Sequence, residues 1–154
     1  MLYLVRHAKA GNRSEWDGDD STRPLTGKGR RQAIVIGARL AEHASGSLLS
    51  SPFIRCVQTL EPLATLLGTA VVVDDRLAEG TGFDGALDLL TTIPDGSVLC
   101  SHGDVIPETI DALIRRGCLI VGEPEWRKGS VWQLQRGDDG VIREATASPP
   151  PGCD

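Results

Sequence analysis

Aromatic side chains are scarce in this chain of 154 residues, which has three Trp, two Phe and one Tyr. Aliphatic residues must therefore fill the core, and a chain of this length can bury one substantial core. Long apolar runs are also lacking. The apolar stretch at residues 2–5 stops at Arg6, and it is too short for a signal peptide or a membrane-spanning helix. We therefore expect a cytoplasmic protein without membrane contacts.

The chain also lacks excess positive charge and the common patterns of metal and nucleotide binding. The formal net charge is −5, so we expect no nucleic-acid partner. The four cysteines form no CxxC pair and the three histidines do not have zinc-ligand spacing, so we expect no metal. Neither a Walker loop nor a GxGxxG motif opening a helix is present. We therefore predict a protein without a cofactor.

Strand-like and helix-like segments alternate along the chain. Short apolar runs predict strands at residues 2–5, 47–51, 70–74 and 97–101, and apolar residues at helical spacing predict helices at 27–43, 53–68, 86–92 and 107–117. Asp138-Asp139-Gly140 separates two further strand-like segments and predicts a hairpin. This alternation predicts an α/β fold with a mostly parallel sheet. We expect a single domain over residues 1–147 and a disordered tail over 148–154.

Local signals refine the helix boundaries. Thr26 is expected to cap the helix that follows it, and Gly117 to end the last helix. Pro62 lies inside the predicted helix 53–68, and we expect it to kink or divide that helix.

Arginine and histidine side chains follow three of the predicted strands. Arg6 and His7 follow the first strand, Arg55 comes early in the helix after the second, and His102 follows the strand at 97–101. Ligands of open α/β sheets bind beyond the carboxyl ends of the strands, so these side chains are expected to meet. Guanidinium groups match phosphate oxygens, and a neutral imidazole can attack phosphorus. The set therefore indicates a catalytic phosphate site.

Three segments carry a family resemblance. LVRHAKAG (4–11), SSPFIRCVQTLEPLA (50–64) and VLCSHGD (98–104) resemble, in the same order, the signature segments of the histidine phosphatase superfamily. The resemblance extends over about residues 2–135, and RPLTGKGRRQA (23–33) is similar to the short SixA-like branch. GDD followed by RPL, together with WRKGSVWQL (126–134), resembles the phosphatase domain attached to Nudix hydrolases in actinobacterial MutT-type proteins. Here we expect no Nudix domain ahead of the first strand.

The resemblance implies a fold and a mechanism. The fold would be the three-layer α/β/α sandwich of phosphoglycerate mutase-like proteins, and the activity that of a metal-independent phosphohydrolase. His7 would be the nucleophile that forms a phosphohistidine, which water then hydrolyses. Arg6, Arg55 and His102 would hold the phosphoryl oxygens, where charge is spread in the transition state.

The resemblance is less specific about the proton donor. Glu79 matches the acidic position of the mutase-like branch, where a carboxyl group acts as general acid, and the alternative is a solvated loop residue. Asp104 is a second candidate acid, but we favour its interpretation as the N-cap of the next helix. Ala8 stands where the family often has glycine, and we expect its methyl group close to the pocket.

Candidate substrate contacts lie just after the nucleophile: Lys9, Asn12, Arg13 and Trp16. They can reach a distal phosphate or a base, and the alternative for each is a solvated loop. An exposed indole in a polar loop suits stacking on a flat group, which makes Trp16 the most informative of the four. Arg127 and Lys128 are expected either to border the site or to be surface charges.

We predict a phosphohydrolase that acts on a phosphorylated small molecule or nucleotide, or on a phosphohistidine protein as SixA-like members do. One alternative is a phosphomutase, which the chain disfavours because it has little room for insertions that enclose a phosphorylated intermediate. The other is a non-catalytic module that binds phosphate or a nucleotide. Retention of both histidines and both arginines argues against that module. The oligomeric state stays open.

Overall fold

Strands from the whole length of the chain form one sheet at the centre of the molecule. The structure is a computed structural model that describes residues 1–152. In chain order the strands are β1 (Leu2–Arg6), β2 (Leu48–Ser50), β3 (Val71–Val73), β4 (Val98–Ser101), β5 (Leu119–Ile120), β6 (Val131–Arg136) and β7 (Ile142–Ser148). Across the sheet their order is β3-β2-β4-β1-β6-β7-β5, and only β6 of these strands runs against the others. The predicted α/β fold with a mostly parallel sheet is confirmed.

Helices cover both faces of this sheet. They are α1 (Gly27–Leu40), α2 (Ile54–Leu67), α3 (Asp84–Thr92) and α4 (Val105–Arg115), with short 3-10 helices at Arg13–Glu15, Asp20–Thr22 and Asp75–Leu77. Alternate residues of β1 point to opposite faces. Leu2 and Leu4 pack in one core with α3 and α4, whereas Tyr3 and Val5 pack in the other core with α1 and α2. The protein is therefore a three-layer α/β/α sandwich.

Capping side chains begin two of the helices near the predicted positions. Thr26 Oγ1 accepts the backbone N–H of Gly29 at 3.1 Å, which confirms it as the cap of α1. α4 begins at Val105, two residues earlier than predicted, and the Asp104 side chain accepts the Val105 N–H at 2.8 Å. After α4, Gly117 adopts a φ of 98°, a left-handed conformation that favours glycine and ends the helix.

Pro62 does not divide α2, and this part of the expectation is wrong. The helix runs without interruption from Ile54 to Leu67. α1 packs directly on the proline-containing turn: a β-carbon added to Gly37 would lie 2.9 Å from the backbone nitrogen of Leu63. Because tertiary packing supplies most of the stability of protein helices, this close contact outweighs the hydrogen bond that proline cannot make.

The edge strand β5 and the C-terminal segment differ from what the sequence predicted. β5, which pairs with β7, was not predicted, because two residues are too short to show alternation. The prediction of a disordered tail is wrong for residues 148–152. Ser148 is the last residue of β7, and Pro151 is buried. Proline loses little backbone freedom on folding, which favours ordering of this segment. Cys153 and Asp154 lie outside the described residues.

Within residues 1–152, no helix has the length and apolar character needed to span a membrane.

The Gly37 contact generates a stability prediction. Gly37→Ala should lower the free energy of unfolding by about 1–3 kcal/mol, because the added methyl group must push α1 away from α2. Urea unfolding measures this difference. Gly27→Ala is the matched control in the same helix, since its β-carbon would meet only the side chain of Arg31, at 3.6 Å. Equal stability of the two variants would contradict the proposed close packing.

Candidate active site

The carboxyl ends of three neighbouring parallel strands bring the predicted side chains together. β2, β4 and β1 lie side by side in the sheet. Arg6 ends β1 and His7 follows it, His102 follows β4, and Arg55 lies in the first turn of α2. The backbone N–H of His7 donates to the carbonyl oxygen of Ser101 at 3.1 Å. This bond ties the candidate nucleophile to the strand that carries the second histidine.

His7 is almost fully buried, with 4% of its surface exposed. Its Nδ1 lies 2.8 Å from the carbonyl oxygen of Ala8, which can only accept, so Nδ1 carries the ring proton. Nε2 keeps the lone pair, and Arg55 Nε donates to it at 3.4 Å. Burial is the main cause that lowers the pKa of His7 to about 3, and the charges of Arg55 and Arg6 lower it further. The imidazole is therefore neutral near pH 7 and able to act as a nucleophile.

His102 is fully buried next to His7, with 5.5 Å between the ring centroids. Its Nε2 lies 2.8 Å from Ser51 Oγ. When the Ser51 hydroxyl donates to Nε2, Nδ1 keeps the ring proton. Nδ1 of His102 and Nε of Arg6 are the two buried side-chain nitrogen or oxygen atoms without a hydrogen-bond partner among residues 1–152. A buried polar atom without a partner costs free energy, so both atoms are placed as donors for an anion.

Arg6 lies close to the backbone of the β4–α4 connection. Its NH1 donates to the carbonyl oxygen of Trp126 at 2.6 Å. A β-carbon added to Gly103 would lie 2.7 Å from Cζ of the Arg6 guanidinium. Glycine after His102 is therefore required for Arg6 to keep this position.

Asp20 holds three arginines at the site. Arg55 is 1% exposed and donates to Asp20 twice, through NH1 to the carbonyl oxygen at 2.9 Å and through NH2 to Oδ2 at 3.1 Å. Arg23 Nε donates to Oδ1 at 2.9 Å, and Arg13 Nε lies 3.4 Å from the same oxygen. Burial alone would raise the pKa of Asp20, but the hydrogen bond from Arg23 and the charge of Arg55 outweigh it and lower the pKa. The carboxylate is therefore ionised and balances the arginine charges.

Glu79 faces the same cluster of cations. Both of its carboxylate oxygens accept from Arg13 NH2, at 2.9 and 3.0 Å, and Oε1 lies 3.6 Å from Arg55 NH2. Before Glu79 can act on a leaving group, one of its oxygens must turn from Arg13 toward the substrate. The position of Glu79 at the pocket is compatible with its candidate role as general acid.

Asp104 is engaged on both carboxylate oxygens. Oδ1 accepts the N–H of Val105, and Oδ2 accepts the N–H of Gly80, each at 2.8 Å. The N-cap interpretation of Asp104 is confirmed by the first bond. The second bond ties the loop of Glu79 to the start of α4, so Asp104 borders the pocket mainly as a structural residue.

The candidate substrate contacts separate into three groups. Asn12 and Arg13 line the pocket with His7. Trp16 lies in an adjoining cleft. Lys9 lines neither cavity, and its described hydrogen bonds are made by its backbone, to Gln32 and Thr26. The geometry therefore favours Asn12 and Arg13 over Lys9 as contacts to a bound anion.

Ala8 differs from the expectation that its methyl group lies close to the pocket. It is fully buried and packs with Leu25 and Ala33 in a small cluster of its own. Its N–H donates to Thr59 Oγ1 at 3.0 Å. Ala8 therefore fixes the chain after the nucleophile to α2 and is not among the residues that line the pocket.

Together these side chains border a pocket of about 490 Å³, lined by Arg6, His7, Gly11, Asn12, Arg13, Arg23, Arg55, Glu79, Gly103, Asp104 and Lys128. Lys128 has no ion-pair partner in the part of the chain that the structure describes. Burial, followed by the charges of Arg6, Arg23 and Arg55, lowers its pKa. Arg127 instead pairs with Glu125 and does not line the pocket. No group of three or more His, Cys, Asp or Glu side chains within residues 1–152 could hold a metal ion.

Sequence reasoning missed Arg23, which lines the pocket, and Asp20, whose carboxylate pairs with the arginines beside it. Both lie in the polar segment 11–25, which has no periodicity to indicate where its side chains point. The one sequence signal for these two residues was the GDD–RPL pattern. It indicated a family resemblance but did not indicate which side chains are in contact.

The site consists of a neutral, buried histidine at the strand ends of an α/β sandwich, and arginines surround it. This arrangement is typical of a site for phosphoryl transfer. Residues 2–84 match the model of the histidine phosphatase superfamily (branch 1). The chain belongs to this superfamily.

Among known proteins, the chain is similar to the 8-oxo-(d)GTP phosphatase of Mycolicibacterium smegmatis, with 35% identity over 155 residues that cover 97% of this chain and 48% of the relative. The chain thus spans about half the length of that relative. Its structure is similar to that of the protein histidine phosphatase SixA complexed with tungstate (TM-score 0.72, 20% identity, 96% of this chain and 93% of the other). A mycobacterial glucosyl-3-phosphoglycerate phosphatase in complex with VO₃ gives a TM-score of 0.65 at 20% identity, over 92% of this chain and 94% of the other. These two structural similarities show a shared fold.

The lowered pKa of His7 predicts a pH effect on stability. Between the ordinary value of 6.5 and about 3, the unfolded chain binds a proton on His7 that the folded chain excludes, so stability falls as pH falls through this window. Wild type should therefore lose about 2 kcal/mol more than His7→Asn between pH 7 and pH 5. Urea unfolding at both pH values measures this. His43→Asn, on the surface, is the control and should follow wild type; a His7→Asn profile parallel to wild type would contradict the buried neutral histidine.

Proposed function

We propose that the protein is a metal-independent phosphohydrolase that acts through a phosphohistidine intermediate. The observation that carries this proposal is the environment of His7, whose Nε2 lone pair lies among cationic and unpaired N–H donors. Arg6 Nε and His102 Nδ1 are free to bind two phosphoryl oxygens. Arg55 binds a third when its Nε turns from His7 Nε2 to the substrate.

In the first step, Nε2 of His7 attacks phosphorus, the N–P bond forms and the bond from phosphorus to the leaving oxygen breaks. In the second step, water attacks the same phosphorus, the N–P bond breaks, and inorganic phosphate leaves. Glu79, once it has turned from Arg13 and taken a proton from solvent, gives that proton to the leaving oxygen and regains one from the attacking water. Charge on the equatorial oxygens is balanced by the arginines and His102, which is why the reaction is proposed to need no metal.

The substrate class is proposed from the relative and from the pocket. The 8-oxo-(d)GTP phosphatase matches almost the whole chain, and this supports a phosphorylated small molecule or nucleotide as substrate. A phosphohistidine protein is the second candidate, and the fold shared with SixA supports it more weakly, because fold alone does not define a substrate. We also propose that the chain forms one domain, as predicted for residues 1–147, and that this domain includes the end of β7 at Ser148. A cytoplasmic location is proposed because Cys56, Cys100 and Cys118 are free and buried.

The nucleophile is tested by His7→Ala. This variant should fold and should lose turnover of a generic aryl phosphate, because it removes the Nε2 atom that is proposed to form the N–P bond. Base quenching of wild type with labelled substrate should trap a phosphoenzyme, and later treatment with acid should release its label. His43→Ala is the control and should keep full activity. Activity of His7→Ala near that of wild type would exclude this mechanism, and tight phosphate binding without turnover in wild type would favour a binding module.

Glu79 is tested by its dependence on the leaving group. A general acid contributes about 10²- to 10⁴-fold when the departing oxygen is a poor leaving group. Glu79→Gln should therefore slow hydrolysis of an alkyl phosphate much more than that of a nitrophenyl phosphate. Asp104→Asn is the comparison and should affect both esters equally, because that residue caps α4. Equal losses on both esters in Glu79→Gln would assign Glu79 to substrate positioning.

A further inference from the structure

A second cleft adjoins the pocket of His7. It has a volume of about 260 Å³ and is lined by Gly11, Asn12, Glu15, Trp16, Arg23, Pro24, Leu25 and Thr26. Gly11, Asn12 and Arg23 also line the catalytic pocket. The two cavities therefore share one wall, and together they fall within the ~300–1,000 Å³ range of small-molecule sites.

The indole of Trp16 is fixed in this cleft with its ring accessible. Nε1 donates to the carbonyl oxygen of Asp19 at 3.0 Å and to Thr22 Oγ1 at 3.2 Å. The residue nevertheless stays 38% exposed. Because its N–H is used within the loop, Trp16 offers a ligand only its π face, held in a defined orientation. A fixed aromatic face beside a phosphate site suits stacking of a planar heterocycle.

Two polar side chains without partners complete the cleft. Within residues 1–152, neither the amide of Asn12 nor the carboxylate of Glu15 has a side-chain hydrogen bond or ion pair. Both line the cleft with Trp16. A carboxylate accepts hydrogen bonds only, so Glu15 matches the edge of a heterocycle that presents N–H donors. The 2-amino-6-oxo edge of guanine presents two adjacent donors, whereas the corresponding edge of adenine places an acceptor beside one amino group.

We infer that the Trp16 cleft is the leaving-group subsite and binds the guanine-type base of a nucleoside 5′-diphosphate substrate. The inference rests on the proposed phosphohydrolase function and defines its substrate class. The reacting phosphoryl group lies at His7 and the base stacks on Trp16. Arg23, on the shared wall, contacts the phosphate that links them. A phosphohistidine protein would have no flat group to place in this cleft.

Steady-state kinetics distinguish a defect in the base subsite from a defect at the catalytic centre. The substrates are guanosine diphosphate and methyl diphosphate, which share the phosphoanhydride and differ in the base. Trp16→Ala should lower kcat/KM for guanosine diphosphate roughly 5- to 150-fold, the range expected for loss of one stacked base, and leave methyl diphosphate unchanged. Trp16→Phe should retain most of the activity. Leu66→Ala, an exposed apolar residue on α2, is the control for a surface truncation. Equal losses of Trp16→Ala on both substrates, or none on guanosine diphosphate, would overturn the inference.

The inferred contact between Glu15 and the edge of the base is tested separately. Wild type should prefer guanosine diphosphate to adenosine diphosphate, and Glu15→Gln should reduce this preference about tenfold, since hydrogen bonds to charged groups are the stronger ones. A preference that does not change in Glu15→Gln would remove Glu15 from the subsite.

Binding measured by calorimetry in the His7→Ala background distinguishes failure of the inference from failure of the proposed function. Guanosine diphosphate should bind His7→Ala and bind the double variant His7→Ala/Trp16→Ala more weakly by the same 5- to 150-fold factor. If wild type hydrolyses no substrate but this difference holds, the proposed function fails and the subsite stands. If wild type hydrolyses a phosphohistidine protein and guanosine diphosphate binds both variants equally, the function stands and the subsite is excluded.

Discussion

Repulsion between the guanidinium groups around His7 is the constraint on which the site depends. Arg55 is buried, and Arg13 and Arg23 approach the same region, so their charges need a counter-ion at short range. Asp20 supplies it through contacts of 2.9–3.4 Å to all three. Because Asp20 belongs to the segment between β1 and α1, its contact with Arg55 holds that segment against α2 next to His7.

The neutral state of His7 follows from the same arrangement. Burial and surrounding cations both disfavour its protonated form, and the bond from Nδ1 to Ala8 leaves Nε2 with the lone pair. A pocket that attracts anions therefore also keeps His7 unprotonated. Excess carboxylate next to His7 would reverse both effects, and Glu79 is kept from doing so by its bidentate contact with Arg13.

Two kinds of feature could be predicted from the sequence. They are the elements with a clear hydrophobic pattern, and the side chains that follow the carboxyl ends of the strands. β1 and β4 are short apolar runs, and the rule that ligands bind at carboxyl ends of strands was enough to bring Arg6, His7 and His102 together. Asp20 and Arg23 could not be predicted, because a turn-rich segment has no repeat that indicates side-chain direction. The continuity of α2 through Pro62 depends on the contact with Gly37, which is distant in sequence and therefore invisible to local propensity.

The pairing of β1 with β4 has a consequence for folding kinetics. Arg6 lies opposite Ser101 in this parallel pair, so two halves of the catalytic pocket come from segments separated by most of the chain. Contacts of such long sequence separation form late, because loop closure must precede them. A partly folded chain with only local helices and the β6–β7 hairpin would have no phosphate site at all. Refolding of the anion pocket therefore requires the pairing of β1 with β4, whereas formation of the individual helices does not.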